Sequence, residues 1–321
     1  MPALTYDFTG IVPTADPKDE YEKKIIELAA THEEIYLLTC DLLVPGNRML
    51  EFRDLYPDRF IDVGIAEANV VGIAAGIGLA GGIPFAQAMG PFISLRATDQ
   101  VHTDVAYNDV PVRLSETHGG VTGGGGPTHN SVLDFAIMRG IPNMTIVAPS
   151  DANQCSRLVE ASLTYPGPMF LRIGKLNSPL VYKNQDYDYT IGKAVLTKEG
   201  SDATVIGTGI TVSHALKAAQ ELQAEGISVR VLDMHTVKPL DVDAVLKAAK
   251  ETGIIVTVED HTINGGLGGA VAEVAFEAGV TCKFKRLGVP DMFSVLGSVK
   301  QLYALYGIDT EGIKKQIRSM L

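Results

Sequence analysis

The sequence is poor in cysteine, in basic residues and in apolar runs long enough to cross a membrane. Its three cysteines, Cys40, Cys155 and Cys282, are odd in number and far apart. They predict reduced thiols in a cytoplasm rather than a disulfide framework or a metal-binding C-x-x-C pair. Acidic residues outnumber basic ones by 38 to 27, and no basic cluster alternates with aromatic residues. Nucleic acid is therefore not an expected partner.

Membrane association is not expected either. The first twenty residues lack the basic and apolar segments of a signal peptide, and the sequence has no basic amphipathic helix. The uncharged stretch 68–82 gives roughly 22 Å of helix before Pro84, whereas a bilayer-spanning helix needs about 30 Å.

The sequence does contain two alternations of short apolar runs with amphipathic helices. In the first, buried parallel strands are predicted at 35–40, 59–63, 83–89, 112–115, 144–148 and 169–173. The stretch 176–192 is rich in polar and turn residues and separates the two alternations. In the second, strands are predicted at 203–207, 229–232, 254–258 and 282–287, with helices between them. We predict an α/β fold of two domains, residues 1–185 and 190–321, each a mainly parallel sheet flanked by helices.

Glu67 is the only charged residue between positions 63 and 95, and glycine and alanine surround it. Small residues let backbones approach closely, so we expect this carboxyl group in the interior. An ionised carboxylate is costly there unless it is paired or takes up a proton, and a carboxyl group that shares a proton suits acid–base chemistry. A buried helix capped by a glutamate explains the same residue structurally.

The loop 116–130, ETHGGVTGGGGPTHN, holds His118 and His129 among many glycines. Consecutive backbone N–H groups in such turns can bind anions, and histidines bind phosphate or move protons. A flexible hairpin tip with two solvated imidazoles is the alternative. Zinc is disfavoured because no cysteine is near and the two histidines are eleven residues apart.

Other candidate side chains follow predicted strands. Arg172 and Lys175 either bind an anionic substrate group or lie on a solvated edge. Met89 and Phe92 are expected in the core unless a flat ligand lies there. His214 is expected to be solvated.

Seven motifs in this order resemble those of the C-terminal subunit of a split transketolase. This is a thiamine-diphosphate enzyme whose pyrimidine-binding and C-terminal domains are encoded apart from its diphosphate-binding domain. The motifs are DVGIAEAN around Glu67, FISLRATDQ from Phe92, THGG–GGPTHN from Thr117, MRGIPNMTIVAPSDA from Met138, LRIGK from Leu171, LDMHTVKPLD from Leu232 and VEDHTINGGLGGAVAE from Val258.

The resemblance implies a role for each matching residue at the cofactor. Glu67 matches the catalytic glutamate that hydrogen-bonds N1′ of the cofactor's aminopyrimidine. Phe92 matches the aromatic residue that stacks on that ring, and Met89 stands where many relatives have another aromatic. Asp41 resembles an acidic residue beside the thiamine.

The resemblance also implies substrate-binding residues. His129 matches a catalytic histidine that contacts the reacting hydroxyls of the sugar, and His118 matches one that contacts the phosphate of a sugar phosphate. Lys175 stands where the family usually has a phosphate-binding arginine, so the charge is kept and the bidentate geometry is lost. Gly124 and Gly125 replace a Glu-Asp pair, which disfavours ordinary pentose-phosphate specificity and leaves a branched or modified sugar open.

The implied assembly is an α2β2 transketolase with the cofactor between chains. No G-D-G…N pattern for Mg²⁺ and diphosphate is present, so those ligands are expected on an N-terminal partner subunit. Three alternatives remain at this point. The chain is the β subunit of a 2-oxo acid dehydrogenase, the carboxyl half of a deoxyxylulose-phosphate synthase, or a non-catalytic scaffold.

Overall fold

A computed structural model describes residues 4–122, 124–174 and 177–321. The N-terminal half begins with a short strand and a helix and then alternates strands with helical segments. Its elements are β1 (Thr14–Ala15), α1 (Pro17–Ala29), β2 (Ile35–Thr39), α2 (Arg48–Leu55), β3 (Phe60–Asp62), α3 (Glu67–Leu79), β4 (Ile83–Met89), α4 (Thr98–Gln100), β5 (Arg113–Thr117), α5 (Asp134–Arg139), β6 (Thr145–Val147), α6 (Ala152–Thr164), β7 (Met169–Ile173) and β8 (Ser178–Pro179).

The C-terminal half has the same alternation and ends in two helices. Its elements are β9 (Val195–Lys198), β10 (Ala203–Gly207), α7 (Thr211–Gln223), β11 (Val229–Asp233), β12 (Thr236–Lys238), α8 (Val242–Thr252), β13 (Ile254–Thr262), α9 (Leu267–Glu277), β14 (Lys283–Val289), α10 (Val299–Tyr306) and α11 (Thr310–Met320). The sequence patterns placed β4, β7 and β10 at these bounds and gave no signal for α2, α10 or α11.

The first sheet has seven strands in the order β12-β6-β7-β5-β4-β2-β3. All neighbouring pairs are parallel except β12, which pairs antiparallel with β6 at the edge. The chain order reverses between β2 and β4, and ligands of open α/β sheets bind outside the carboxyl ends of strands at such a point. The predicted strands 35–40 and 83–89 thus define the most favourable position for a site.

The second sheet has the order β14-β13-β10-β11-β9. Strands β14, β13, β10 and β11 are parallel, as predicted, but β9 joins antiparallel at one edge. The sequence reasoning missed β9 because it is half-exposed and carries no continuous apolar run. Both sheets are covered by helices on two faces, so the predicted fold class is confirmed.

Helix α6 begins beside a buried carboxylate from the C-terminal half of the chain. Asp151 caps the helix, and its Oδ1 accepts the N–H of Gln154 at 2.7 Å. Ser150, one residue earlier, donates its hydroxyl to Asp233 Oδ2 at 2.9 Å. Strand β11 brings this carboxylate against the start of the helix.

Two other polar residues lie in different environments from those predicted. Arg172 does not lie on a solvated edge, because it is 7% exposed and its Nε lies 2.6 Å from Asp134 Oδ2. His214 packs against the Tyr303 ring at 5.5 Å between centroids, and burial lowers its pKa. Among the described residues, none of the helices has both the length and the apolarity that a membrane span requires.

Asp233 gives the fold a measurable pH dependence. It is fully buried, and burial raises its pKa to about 7, while its Oδ2 accepts hydrogen bonds from Tyr182, Ser150 and Gln154. The unfolded state ionises this carboxyl group near its ordinary pKa, so folding stability is lost as pH rises from that value toward the folded pKa. We expect about 2–3 kcal/mol of this loss between pH 5 and pH 8. Denaturant titrations should show that Asp233→Asn removes most of that decline, and an equal slope in both proteins would contradict it.

Candidate functional site

Several of the predicted site residues that the structure describes lie along the carboxyl edge of the first sheet. Strands β3, β2, β4 and β5 are successive neighbours there. Asp41 lies two residues beyond β2, Met89 ends β4, and His118 follows β5, while β3 leads into the helix that begins at Glu67. Residues far apart in the chain therefore share one edge, because parallel strands end on the same side.

Glu67 is the first residue of α3, and its side chain is buried at 3% exposure. Its Oε2 accepts a hydrogen bond from Nη1 of Arg96 at 2.6 Å, in an ion pair. The side chain thus lies at the N-terminal end of α3 with a cationic partner beside it. The sequence-based expectation of a buried carboxyl group that needs a partner is therefore met by a residue that the sequence reasoning did not name.

Arg96 is half-exposed and lies over the ring of Phe92, with its guanidinium carbon 4.6 Å from the ring centroid. The two residues are four apart on a helical segment, 92–96, whose turn is wider than an α-helix. A spacing of four residues on a helix places two side chains above one another. The spacing of Phe92 and Arg96 was therefore the one signal in the sequence that could have pointed to Arg96. Wide helical turns of this kind occur often at functional sites.

The ring of Phe92 also contacts the imidazole of His129. Their centroids are 5.2 Å apart and the planes are nearly perpendicular, which is an edge-to-face contact. One continuous row of side chains therefore runs through Glu67, Arg96, Phe92 and His129. It connects the start of helix α3 with the glycine-rich loop 116–130.

Asp41 occupies a strained position at the same edge. Its φ is +55°, which is uncommon for a non-glycine residue, and its N–H donates to Asp62 Oδ1 at 3.0 Å. Asp41 is exposed. The neighbouring Cys40 is buried, and burial together with the Glu67 charge raises the pKa of its thiol to about 11. The thiol is therefore protonated at neutral pH and is not a nucleophile.

His118 lies at the start of the glycine-rich loop with φ at +67°, and its Nδ1 is 3.0 Å from the hydroxyl oxygen of Thr117. Behind it, Glu116 is fully buried, and burial and then Asp134 raise its pKa well above the ordinary range. Glu116 was not singled out from the sequence because nothing local distinguishes a buried strand glutamate from an exposed one.

The remaining predicted residues are Met89, Lys175 and the glycines at positions 124 and 125. Met89 is half-buried at the end of β4, and Lys175 lies outside the described residues. A Cβ on Gly124 would have no neighbour within 4 Å, whereas a Cβ on Gly125 would meet His129 Cβ at 2.6 Å. A side chain at position 125 would therefore displace His129 from its present position. In the described ranges, no group of three or more His, Cys, Asp or Glu side chains could hold a metal ion.

Two family models and a solved structure match this chain over most of its length. The family model of the transketolase pyrimidine-binding domain matches residues 16–180, and that of the transketolase C-terminal domain matches residues 192–313. A solved structure described as a split gene transketolase, inactive beta4 tetramer, has a TM-score of 0.87 and 34% identity over 95% of this chain and 98% of that one.

Curated relatives agree with this match. A subunit of the apulose-4-phosphate transketolase of Phocaeicola vulgatus is 40% identical over 93% of this chain and 95% of its own length. A 6-deoxy-6-sulfo-D-fructose transketolase subunit from a Clostridium species is 39% identical over 92% of this chain and 91% of its own length. The 1-deoxy-D-xylulose-5-phosphate synthase of Syntrophotalea carbinolica is 37% identical over 98% of this chain but only 48% of its own length.

The two domains are those of a thiamine-diphosphate-dependent class of enzymes, and the chain belongs to the transketolase family. Within that family it is a transketolase-type enzyme subunit, corresponding to the C-terminal section of the enzyme.

The side chains present fit the pyrimidine half of thiamine diphosphate. The guanidinium of Arg96 is a planar cation that donates an N–H to Glu67 and stacks over Phe92. A planar aminopyrimidine with a proton on its ring nitrogen needs the same two partners, an acceptor at its edge and an aromatic face. Arg96 therefore occupies the two partners that such a ring would need, and its own side chain is half-exposed.

Proposed function

We propose that this chain transfers a two-carbon ketol unit from a ketose to an aldose as the C-terminal subunit of a heteromeric transketolase. The observation that carries the proposal is the buried, paired carboxyl group of Glu67 in one row with Phe92 and His129 at the sheet's switch point. The proposed units are residues 1–185, which carry this row, and residues 190–321. The β subunit of a 2-oxo acid dehydrogenase is the less supported candidate, because the named relatives are transketolase subunits.

Each side chain is proposed to do one thing. Glu67 holds a proton at N1′ of the aminopyrimidine, and Phe92 stacks on that ring with Met89 and Asp41 beside it. His129 orients the reacting hydroxyls of the sugar by hydrogen bonding. When bound, thiamine diphosphate supplies the carbanion chemistry that breaks a carbon–carbon bond next to a carbonyl group.

The substrates are proposed to be ketoses that end in an anionic group. The two transketolase relatives are named for a sugar 4-phosphate and for a 6-sulfo sugar, and both groups are anions at a chain end. His118 and Lys175 are the proposed ligands of that anion. The replacement of Glu-Asp by Gly124 and Gly125 favours a sugar other than an ordinary pentose phosphate.

The partner is proposed to be an N-terminal subunit that binds diphosphate and Mg²⁺, in an α2β2 assembly. Support comes from the missing G-D-G…N pattern and from relatives named as subunits or sections of a transketolase. Reduced cysteines keep the cytoplasm as the predicted location.

We expect the purified chain with thiamine diphosphate, Mg²⁺ and a ketose phosphate to show no ketol transfer, and the mixture with its N-terminal subunit to restore it. The reason is that one half of the cofactor site is absent from this chain. Activity should be followed by release of the shortened aldose. Turnover by the isolated chain would contradict the division of the site, and turnover of pyruvate with an aldehyde phosphate would favour the deoxyxylulose-phosphate synthase alternative.

We expect Lys175→Ala in the reconstituted complex to raise KM for phosphorylated sugars about tenfold or more, since a charge-assisted contact to phosphate is lost. The KM for unphosphorylated analogues should stay unchanged. Lys193→Ala, which removes an exposed lysine of the C-terminal half, is the control and should change neither value. Equal effects on both sugar types would remove Lys175 from the phosphate site.

A further inference from the structure

The C-terminal half reaches into the histidine-bearing loop 116–130 at two points. The first is Asp260, in β13, whose carboxylate oxygens accept the N–H of Val121 at 3.1 and 3.2 Å. The hydroxyl of Tyr303 in α10 donates to the same carboxylate at 2.7 Å. Gly120 lies so close that a Cβ on it would overlap the Asp260 carboxylate. The beginning of the loop is therefore held by a hydrogen bond to a side chain of the C-terminal half.

The second point is Ser294, in the segment between β14 and α10. Its Oγ accepts a hydrogen bond from Nδ2 of Asn130 at 2.7 Å, and both residues are buried. The Oδ1 of Asn130 accepts the N–H of Thr122 at 2.9 Å, which closes the loop on itself. Asn130 is the neighbour of His129, so the bond to Ser294 fixes the backbone that aims the imidazole at Phe92.

Neither contact is explained by the catalytic roles proposed above. Asp260 is fully buried, and burial raises its pKa to about 6, so its ionised form is held in the interior at a cost. The charge of the buried Arg172, the Tyr303 hydroxyl and the Val121 N–H offset this cost, in that order. A buried charged residue that binds a loop backbone and a neighbouring hydroxyl points to a specific geometric requirement in that loop.

We propose that Asp260 and Ser294 are positioning residues, through which the C-terminal half sets the loop that carries His118 and His129 against Phe92. The inference rests on the proposed function, because it assigns a role in catalysis to contacts that act through His129. It also gives the C-terminal half a part in the reaction that does not require it to touch the cofactor.

The first experiment compares three variants in the complex with the N-terminal subunit. We expect Ser294→Ala to lower kcat/KM for the ketose about tenfold, because Asn130 loses its buried partner. Ser294→Thr keeps the hydroxyl and should restore activity to within about twofold of the wild type. Tyr306→Phe removes the other hydroxyl near Ser294 Oγ, at 3.2 Å, and leaves the Asn130 bond, so it should also stay within about twofold. Equal losses in Ser294→Ala and Tyr306→Phe would overturn the proposal.

A double-mutant cycle separates positioning from a general structural role. In a His129→Ala background, Ser294→Ala should cause no further loss of kcat/KM, because its effect passes through the missing imidazole. The dissociation constant for thiamine diphosphate should be the same with and without the serine hydroxyl. An undiminished tenfold loss in the His129→Ala background would overturn the proposal.

Hydrogen exchange on the isolated chain tests the same contacts without any activity. Ser294→Ala and Asp260→Ala should each speed amide exchange in the peptide 118–130 at least about tenfold, with strand β10 unchanged as the internal control. Unaltered exchange in that peptide would overturn the positioning role. If exchange behaves as expected but no ketose is turned over by the wild-type complex, the proposed function fails and the positioning of the loop stands.

Discussion

Glu67→Gln is expected to reduce kcat of the reconstituted complex by about 10²–10⁴-fold, which is the range that a general acid–base group contributes. The amide has nearly the same volume as the carboxyl group but cannot take up or share a proton at its edge. Arg96 would lose its ion pair, but it can still donate to the amide oxygen and its half-exposed side chain can be hydrated, so the fold should be little affected. Steady-state kinetics of the complex, with a thermal melt of the isolated chain, measure both effects.

The matched control for Glu67 is Glu22, another buried glutamate. It lies in helix α1 and is 2% exposed. Its carboxylate pairs with Lys18 of the same helix and accepts a hydrogen bond from Gln87 of β4. Helices α1 and α3 pack on opposite faces of the first sheet, so Glu22→Gln removes a buried charge away from the proposed site. Its kcat should match the wild type. Full activity of the Glu67→Gln complex would instead support a scaffold role and remove Glu67 from the chemistry.

Gly120→Ala is expected to lower the free energy of unfolding by about 2–4 kcal/mol, from a left-handed backbone plus steric overlap. The φ of Gly120 is +81°, and its N–H donates to the carbonyl of Ser131 at 2.9 Å. A methyl group there would displace the Asp260 carboxylate and with it the anchored start of the loop. Denaturant unfolding of the isolated chain measures the effect.

Gly124→Ala is the control within the same loop. Its Cβ would meet nothing within 4 Å, and its φ lies outside the range that disfavours L-residues. Its free energy of unfolding should be within about 0.5 kcal/mol of the wild type, as for most surface substitutions. Similar stability losses at both positions would mean that the loop is intolerant of any side chain, and the specific contact with Asp260 would lose its support.

The two substitutions also separate two functions of glycine in one loop. At position 120 the residue type follows from a close approach between the two halves of the chain. At position 124 the space is open, and the glycine stands where a resemblance to transketolases implies an acidic side chain.

Much of the fold followed from local patterns. Runs of four to seven mostly apolar residues predicted the buried parallel strands. A strand that is covered on both faces has no polar face, so its sequence does not alternate between apolar and polar residues. The same reasoning failed for β9 and β12, which are antiparallel edge strands of mixed character. An edge strand forms only where the rest of the chain places a partner strand beside it, and the local sequence pattern does not show where that happens.

The sequence by itself determined that Glu67 is buried, because a lone charge among glycine and alanine cannot be surrounded by water once those residues pack. It also placed several candidate residues just after predicted parallel strands, which end on one side of a sheet. Only the tertiary structure decided what Glu67 pairs with, where Arg172 lies, and that Asp260 and Ser294 hold the loop. The contacts of Asp260 and Ser294 join residues up to 164 positions apart, and their geometry exists only after the two halves have packed.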